Sequence, residues 1–464
     1  MKFIVASLAF FLSGVAAAAD GPAVAGIPVD FILFALVLLG VALFHNYTLK
    51  VAVGGLIVVT LYKLAFTGFK NGAGWVGFGG HLFHEWVILA NLLGLLLGFA
   101  LLSKHFEESK VPAMLPKYLP DDWKGGFVLL VLVFVISSFL DNIAAALIGG
   151  TVAAVVFRGK VHIGYLAGIV AASNAGGSGS VVGDTTTTMM WIDGVNPLDV
   201  FHAYVAAGTA MVAFGIFAAR QQHAYSPIST DAPEGVSVDW ARLGIVAFIL
   251  VSAIAANVIA NLYFNAVLDH FPVIGAAVWV AILVSAPLRA PDWKLLPDAF
   301  KGSVFLLSLV LIASMMPVEK LPVASWQTTL GLGFVSAVFD NIPLTALALK
   351  QGGYDWGMLA YAVGFGGSMI WFGSSAGVAL SNMFPEARSV GLWLRHGWHV
   401  AFAYVIGFFV LLAVLGWEPH EKRVRGGAAP EAPAANAPAV APALAPKPAA
   451  GAAASGDDLM KKGY

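Results

Sequence analysis

The chain has 464 residues, of which 59% are hydrophobic and only 11% charged, with a mean hydropathy of +0.84 and a formal net charge of -1. That is the composition of a polytopic membrane protein, and a near-neutral chain without a basic, aromatic-interleaved patch excludes nucleic acid as a partner. Because cysteine is absent, disulfides, thiolate metal sites and thiol catalysis are excluded together, and any chemistry rests on oxygen and imidazole groups.

In chain order, residues 1–19 carry one Lys, an apolar run and small residues up to Ala19, the pattern of a cleavable secretory signal; the alternative is an uncleaved first helix. Apolar runs near the ~20 residues that a bilayer core requires follow at roughly 28–46, 49–66, 84–102, 198–219, 243–265, 271–289, 298–316 and 391–416. Residues 126–157 and 326–350 are apolar but carry an Asp-Asn pair in the middle, and read as pairs of half-helices meeting at a polar tip. Residues 162–192 and 356–383 are interrupted by glycine-rich runs, the first of them SNAGGSGSVVGDTTTTMMW. From Gly426 the chain is an alanine and proline tail that buries no core.

The four interrupted segments form a repeat. Ser137 to Ile143 (SSFLDNI) matches Ser336 to Ile342 (SAVFDNI), and Gly176, Gly177, Ser178, Gly183, Asp184 and Thr185 match Gly366, Gly367, Ser368, Gly373, Ser374 and Ser375. The offset between copies is 199 residues for the first motif (340 minus 141) and 190 for the second (366 minus 176). With the mature start outside, Lys50, Lys104, Lys110, Lys117, Lys124, Arg158, Lys160, Arg220, Arg242, Arg289, Lys294, Lys301, Arg388 and Arg395 fall in inner loops. Only Lys63, Lys70, Lys320 and Lys350 fall in outer loops before the tail, an asymmetry in line with the positive-inside rule. The two hairpins then enter from opposite sides, so the repeats are inverted, although Lys422, Arg423 and Arg425 run against this placement at the C-terminus. The expected division is a signal at 1–19, scaffold helices at 20–123, the first hairpin, broken helix and following helix at 124–219, a cytoplasmic loop at 220–242, further scaffold at 243–324, the second hairpin and broken helix with the last helix at 325–417, and a tail at 418–464.

Intramembrane carboxylates cost ~2.5–3.5 kcal/mol each on insertion scales and mark function by default. Three are found, Asp141, Asp184 and Asp340, none with Lys or Arg within several residues. Such a carboxylate becomes neutral by taking a proton or by coordinating a cation. A group that does one or the other exchanges protons for cations. Asn142, Asn341, Ser173, Asn174, Ser178, Thr185, Thr186, Ser368, Ser374 and Ser375 and the carbonyls freed at Gly176, Gly177, Gly366 and Gly367 complete an oxygen shell suited to a hard monovalent cation such as Na+ rather than a transition metal. The alternative for each Asp is a helix N-cap alone.

The long motif, with DNI before it and GGSMIWFGSSAGV in the second half, resembles the NhaD-type sodium/proton antiporters of the ion-transporter superfamily, over about residues 124–417. That resemblance implies an all-α polytopic fold of two repeats, elevator-like, exchanging Na+ or Li+ for H+, with ion ligands at the hairpin tips and helix breaks. Dicarboxylate carriers of the superfamily share the layout but carry Ser-Asn-Thr and Gly-Thr-Pro-Pro motifs, where this chain has Asp141, Asp340 and the Asp184-Thr185-Thr186 run. Added negative charge disfavours a carboxylate substrate. The expected protein is therefore a secondary transporter of the bacterial inner membrane, exporting sodium, with no cofactor, small cations as cargo and dimerisation implied by the resemblance only. The rivals are a sodium-coupled symporter of a carboxylate or oxyanion, a membrane enzyme with a Ser or His centre, and a structural membrane protein.

Lesser signals point elsewhere. His81-Leu82-Phe83-His84-Glu85 has metal-like spacing but no zinc-protease order, and reads as the start of a helix in an outer loop. His162, His202, His396 and His399 lie near expected membrane boundaries, with interfacial or pH-sensing roles open. No phosphate-binding loop is present, which argues against ATP-driven transport.

Overall fold

In a bilayer, a backbone with no water to bond to must satisfy itself, and a chain of long apolar runs has only the helix in which to do so. The computed structural model describes residues 22–44, 47–70, 72–228 and 237–421, and these are almost entirely helical. The signal segment and the Ala/Pro tail lie outside them. The helices of eight or more residues are α1 (Val29–Leu43), α2 (Thr48–Tyr62), α3 (Gly74–Glu108), α4 (Trp123–Ser137), α5 (Asn142–Val156), α6 (Ile163–Ser178), α7 (Thr185–Ile192) and α8 (Ala203–Tyr225), followed by α9 (Trp240–Tyr263), α10 (Val273–Ser285), α11 (Leu296–Ser314), α12 (Trp326–Ser336), α13 (Asn341–Gln351), α14 (Trp356–Gly366), α15 (Ser375–Met383) and α16 (Trp398–Leu415). A two-residue antiparallel ladder between β1 (Ala23–Val24) and β2 (Ile27–Pro28) precedes α1.

Among the described residues, six segments are long and apolar enough to cross a membrane: Thr48–Thr67, Gly74–Glu108, Pro197–Tyr225, Trp240–Ala260, Trp293–Ser314 and Trp398–Leu415. Large apolar side chains such as Leu61, Phe83, Val212, Val251 and Val414 stand exposed on them, the surface that lipid covers. The protein is an all-α, multi-pass membrane protein. Three expected spans are modified. Residues 28–46 hold the 15-residue α1, which is not among the segments long enough to cross. Residues 271–289 contain only the 13-residue α10, too short to cross alone. Residues 391–416 are interrupted at Gly397, which separates a short helix, Val390–His396, from α16.

Each of the four interrupted segments divides at its polar run. The first hairpin is α4 and α5, the second α12 and α13; the broken helices are α6 with α7 and α14 with α15. The helices pack crosswise: α5 lies against α15 of the other copy, and α13 against α7. Around these, α8 packs on α4, α6 and α16, and α12 on α14, while α3 packs on α9, α10 and α11.

Three charged residues sit where the sequence did not place them. His81 and Glu85 do stand toward the start of a helix, α3, but are buried rather than solvated: His81 Nε2 is 2.9 Å from Ser314 Oγ, and Glu85 pairs with Lys350 at 2.5 Å. Lys63, expected in an outer loop, begins a π-helical extension of α2 (Lys63–Thr67) and is buried against Asp30 at 3.1 Å. No group of three or more His, Asp or Glu poised for a metal occurs among the described residues. His162 caps α6 and packs edge-on against His396 with ring centroids 4.9 Å apart, at the end of that helix rather than at the site below.

Breaking a buried pair by removing one partner leaves an uncompensated charge, at a cost of about 3–5 kcal/mol. Lys63→Ala is therefore expected to lower unfolding stability in detergent by about that much. The double change Asp30→Asn, Lys63→Met should recover most of it, as differential scanning fluorimetry will show; equal losses in both variants would contradict the pairing.

Candidate ion-binding site

A helix that ends inside a membrane exposes amides and carbonyls that need partners. Here each interior helix start is capped by the side chain just before it. Asp141 Oδ1 accepts from Ile143 N at 2.7 Å, Asp340 Oδ1 from Ile342 N at 3.0 Å, and Asp184 Oδ1 from Thr186 N at 3.2 Å; at the fourth break Ser374 Oγ accepts from Gly377 N at 3.3 Å. Capping thus applies to all three carboxylates. It uses one oxygen of each.

The second oxygens differ. Asp340 Oδ2 accepts from Ser375 Oγ at 3.3 Å. Asp141 and Asp184, with Thr185 and Thr188, line a cavity of about 280 Å³ whose remaining wall is largely apolar and comes mostly from α3, α5 and α11. Asp340, Ser374 and Ser375 line a separate cavity of about 260 Å³, and Ile143 borders both. Asp184 Oδ2 is fully buried and has no hydrogen-bond partner. Asp141 and Asp184 thus share one cavity, and Asp340 lines the other. The buried ion pairs Asp30–Lys63 and Glu85–Lys350 involve none of them.

The helix ends facing these caps are tied by bonds that recur in both copies. Ser137 Oγ donates to Ser173 O at 2.6 Å, and Ser336 Oγ to Val363 O at 2.7 Å, donor and acceptor displaced by the same 199 and 190 residues as the motifs. Gly176 and Gly366 lie so close to Phe134 O and Gly333 O, respectively, that any side chain would collide with backbone. That close approach explains the paired glycines. Gly176 O accepts from both Ser138 Oγ (3.1 Å) and Tyr204 OH (3.2 Å), so a carbonyl freed by the break is satisfied twice. Gly177 and Gly367 hold the matching close approach to Gly183 and Gly373.

Between the copies runs a side-chain network. Asn142 Nδ2 donates to Asn174 Oδ1 at 3.0 Å, and Asn174 Nδ2 donates to Ser368 Oγ at 2.9 Å and Ser374 Oγ at 3.1 Å. Asn341 Nδ2 is buried without a partner, as is Thr186 Oγ1. Ser178 Oγ donates to Ala175 O at 2.8 Å within its own helix. Of the predicted residues, Asp141, Asn142, Ser173, Asn174, Ser178, Asp184, Thr185, Thr186, Asp340, Asn341, Ser368, Ser374 and Ser375 and the four glycines all fall at the two breaks and hairpin tips. Gly364, Thr188 and Tyr204 were not singled out from sequence. Gly364 was legible in principle, since the 190-residue offset makes it the counterpart of Asn174.

No family model matches the chain. It is, however, similar to known antiporters: 26% identical over 351 residues to sodium/proton antiporter 1 of Arabidopsis thaliana, and 24% over 365 residues to sodium/proton antiporter 2 of the same plant. It is also 27% identical over 348 residues to the Na(+)/H(+) antiporter NhaD of Alkalimonas amylolytica. The matches cover 68%, 68% and 64% of this chain and 58%, 80% and 68% of those proteins, so the chain spans somewhat over half the length of the first. The chain is NhaD-like, as its motifs indicated. Both the hairpin tips and the breaks lie in the part of the chain that carried that resemblance.

A buried hydrogen bond contributes about 0.5–1.5 kcal/mol net. Ser137→Ala and Ser336→Ala are each expected to lower stability by about that amount, and, being in separate copies, to add within ~0.5 kcal/mol. Thermal unfolding of the two single variants and the double variant checks the equivalence; a loss confined to one copy would contradict it.

Proposed function

We propose that the protein is a secondary transporter rather than an enzyme, and that it exchanges sodium, or lithium, for protons across a bacterial inner membrane, with Asp184 as the group for which the two compete. The observation that carries this reading is the second oxygen of Asp184: buried, unpartnered, and beside a cavity that Asp141 also lines and no Lys or Arg borders. An ionised carboxylate held that way is strongly destabilised, and a proton or a cation relieves it. Since either suffices and both together overcompensate, occupancy by one expels the other. Asp141, Asn142, Asp340 and Asn341 complete the polar surroundings, and the names of the similar proteins favour the same cargo.

The paired hairpins and broken helices fit two inverted repeats that give alternating access, the site facing first one side and then the other. Two cavities, one beside Asp141 and Asp184 and the other beside Asp340, accord with this arrangement. The two-repeat division at 124–219 and 325–417, an elevator-like movement and dimerisation are parts of the same proposal. A symporter of a carboxylate or oxyanion is disfavoured by the carboxylates on both cavities, Asp141 and Asp184 on one and Asp340 on the other, which repel an anion.

The test is reconstitution into vesicles holding a pH-sensitive dye. With an imposed proton gradient, NaCl or LiCl should collapse it, KCl and citrate should not, and Asp184→Asn should abolish the response. A response to citrate alone would move the chain to the symporter class. The pH dependence has a definite sign: below the titration of the competing carboxyl, each unit of acidification should weaken apparent sodium affinity about tenfold, and above it the affinity should level off. Sodium concentration for half-maximal exchange, measured across pH, reads this directly; a half-maximal concentration independent of pH would contradict competition at a carboxylate.

A further inference from the structure

The two copies share their capping and tying bonds but differ at two facing positions, Asn174 against Gly364 and Asp184 against Ser374. With the 190-residue offset, Asn174 corresponds to Gly364, Ser178 to Ser368 and Asp184 to Ser374; with the 199-residue offset, Asn142 corresponds to Asn341. In the first copy the Asn174 amide bridges three partners, taking a bond from Asn142 and giving bonds to Ser368 and Ser374 of the other copy. Two-fold equivalence puts a side chain at 364 between Asn341, Ser178 and Asp184. The geometry agrees: a Cβ at Gly364 meets Ser178 Cβ at 3.3 Å and Asp184 Oδ2 at 3.5 Å, with no other residue closer. Glycine places no side chain there. Of the site atoms left buried without partners, Asn341 Nδ2, Asp184 Oδ2 and Thr186 Oγ1, the first two are ones that the missing amide would have satisfied.

We propose that the Asn174 amide is a tethered stand-in for a cation, closing one of two equivalent positions, and that sodium binds only at the other, beside Gly364 between Asp184 and Asn341. This rests on the antiporter reading and adds to it a position and a number, one cation per chain. Charge explains the pairing of residues. Where Asn174 is present, the facing cap is the neutral Ser374, and a neutral donor suffices. Where the amide is missing, the facing cap is Asp184, and the balancing group must carry a positive charge. A half-turn of the Asn341 amide presents Oδ1 to that cation in place of Nδ2. Asn174 is then a specificity determinant that never touches the cargo.

The test uses the full-length protein with NaCl against choline chloride, read by thermal unfolding in detergent and by exchange in vesicles. Gly364→Asn should restore the missing bonds, raising the sodium-free melting temperature by about 2–4 °C. It should also remove the further rise that sodium causes and cut exchange at least about a hundredfold, which is the loss of a single required site. A protein stabilised yet inactive is a signature that simple misfolding does not produce. As a second arm, Asn174→Gly with Ser374→Asp rebuilds an open carboxylate position in the first copy, and radioactive sodium at equilibrium should rise from about one to about two per chain. Wild-type exchange with an equally active Gly364→Asn, or a single bound sodium in the double variant, overturns this inference and leaves the antiporter reading standing. A wild-type protein that neither binds nor exchanges sodium overturns both.

Discussion

The structure depends on one constraint: helices interrupted inside a bilayer must find partners for the backbone groups that the interruption exposes. At the two hairpin tips and the two broken helices, four side chains, Asp141, Asp184, Asp340 and Ser374, cap the helices that restart. Serines at 137 and 336 tie the preceding helix ends to carbonyls of the neighbouring broken helix. Glycines at 176 and 366 let the backbones approach closely enough for those bonds to form. The capping role and the ionic role of the carboxylates are therefore one arrangement, because a cap engages only one oxygen and fixes the direction of the other.

Because the same solution is used twice, departures from equivalence stand out. Asp340 spends its second oxygen on Ser375, and Ser374 replaces a carboxylate with a hydroxyl already engaged by Asn174. Only Asp184 combines complete burial with an unpartnered oxygen among the three carboxylates. Breaking the equivalence concentrates the unsatisfied charge at one place, which suits an exchanger that must hold either of two small cations, never both.

Much of this was readable beforehand for physical reasons. Polar and glycine-rich runs within apolar sequence cannot be ordinary membrane helix, and all four breaks fall within the segments so identified. What escaped was whatever depends on distant partners. Glu85 reads as a solvated residue until Lys350, 265 positions away, packs on it, and Lys63 as a loop cation until the π-helical end of α2 turns it onto Asp30. The 13-residue α10 and the interruption at Gly397 were hidden because apolar composition continues through them, and hydropathy does not register where a helix stops. Gly364 escaped for another reason: attention goes to residues that carry chemistry, and here the chemistry lies in a side chain that is not there.

The central claim is that sodium and a proton exclude each other at one carboxylate. The most direct measurement is the number of protons released when sodium binds to the purified protein, obtained by calorimetry in two buffers of different ionisation enthalpy at a series of pH values. The account predicts release rising toward about one proton per sodium as the solution is acidified, while binding weakens in step, and no release from the Asp184→Asn variant. Sodium binding to the wild-type protein without proton release at any pH would contradict it.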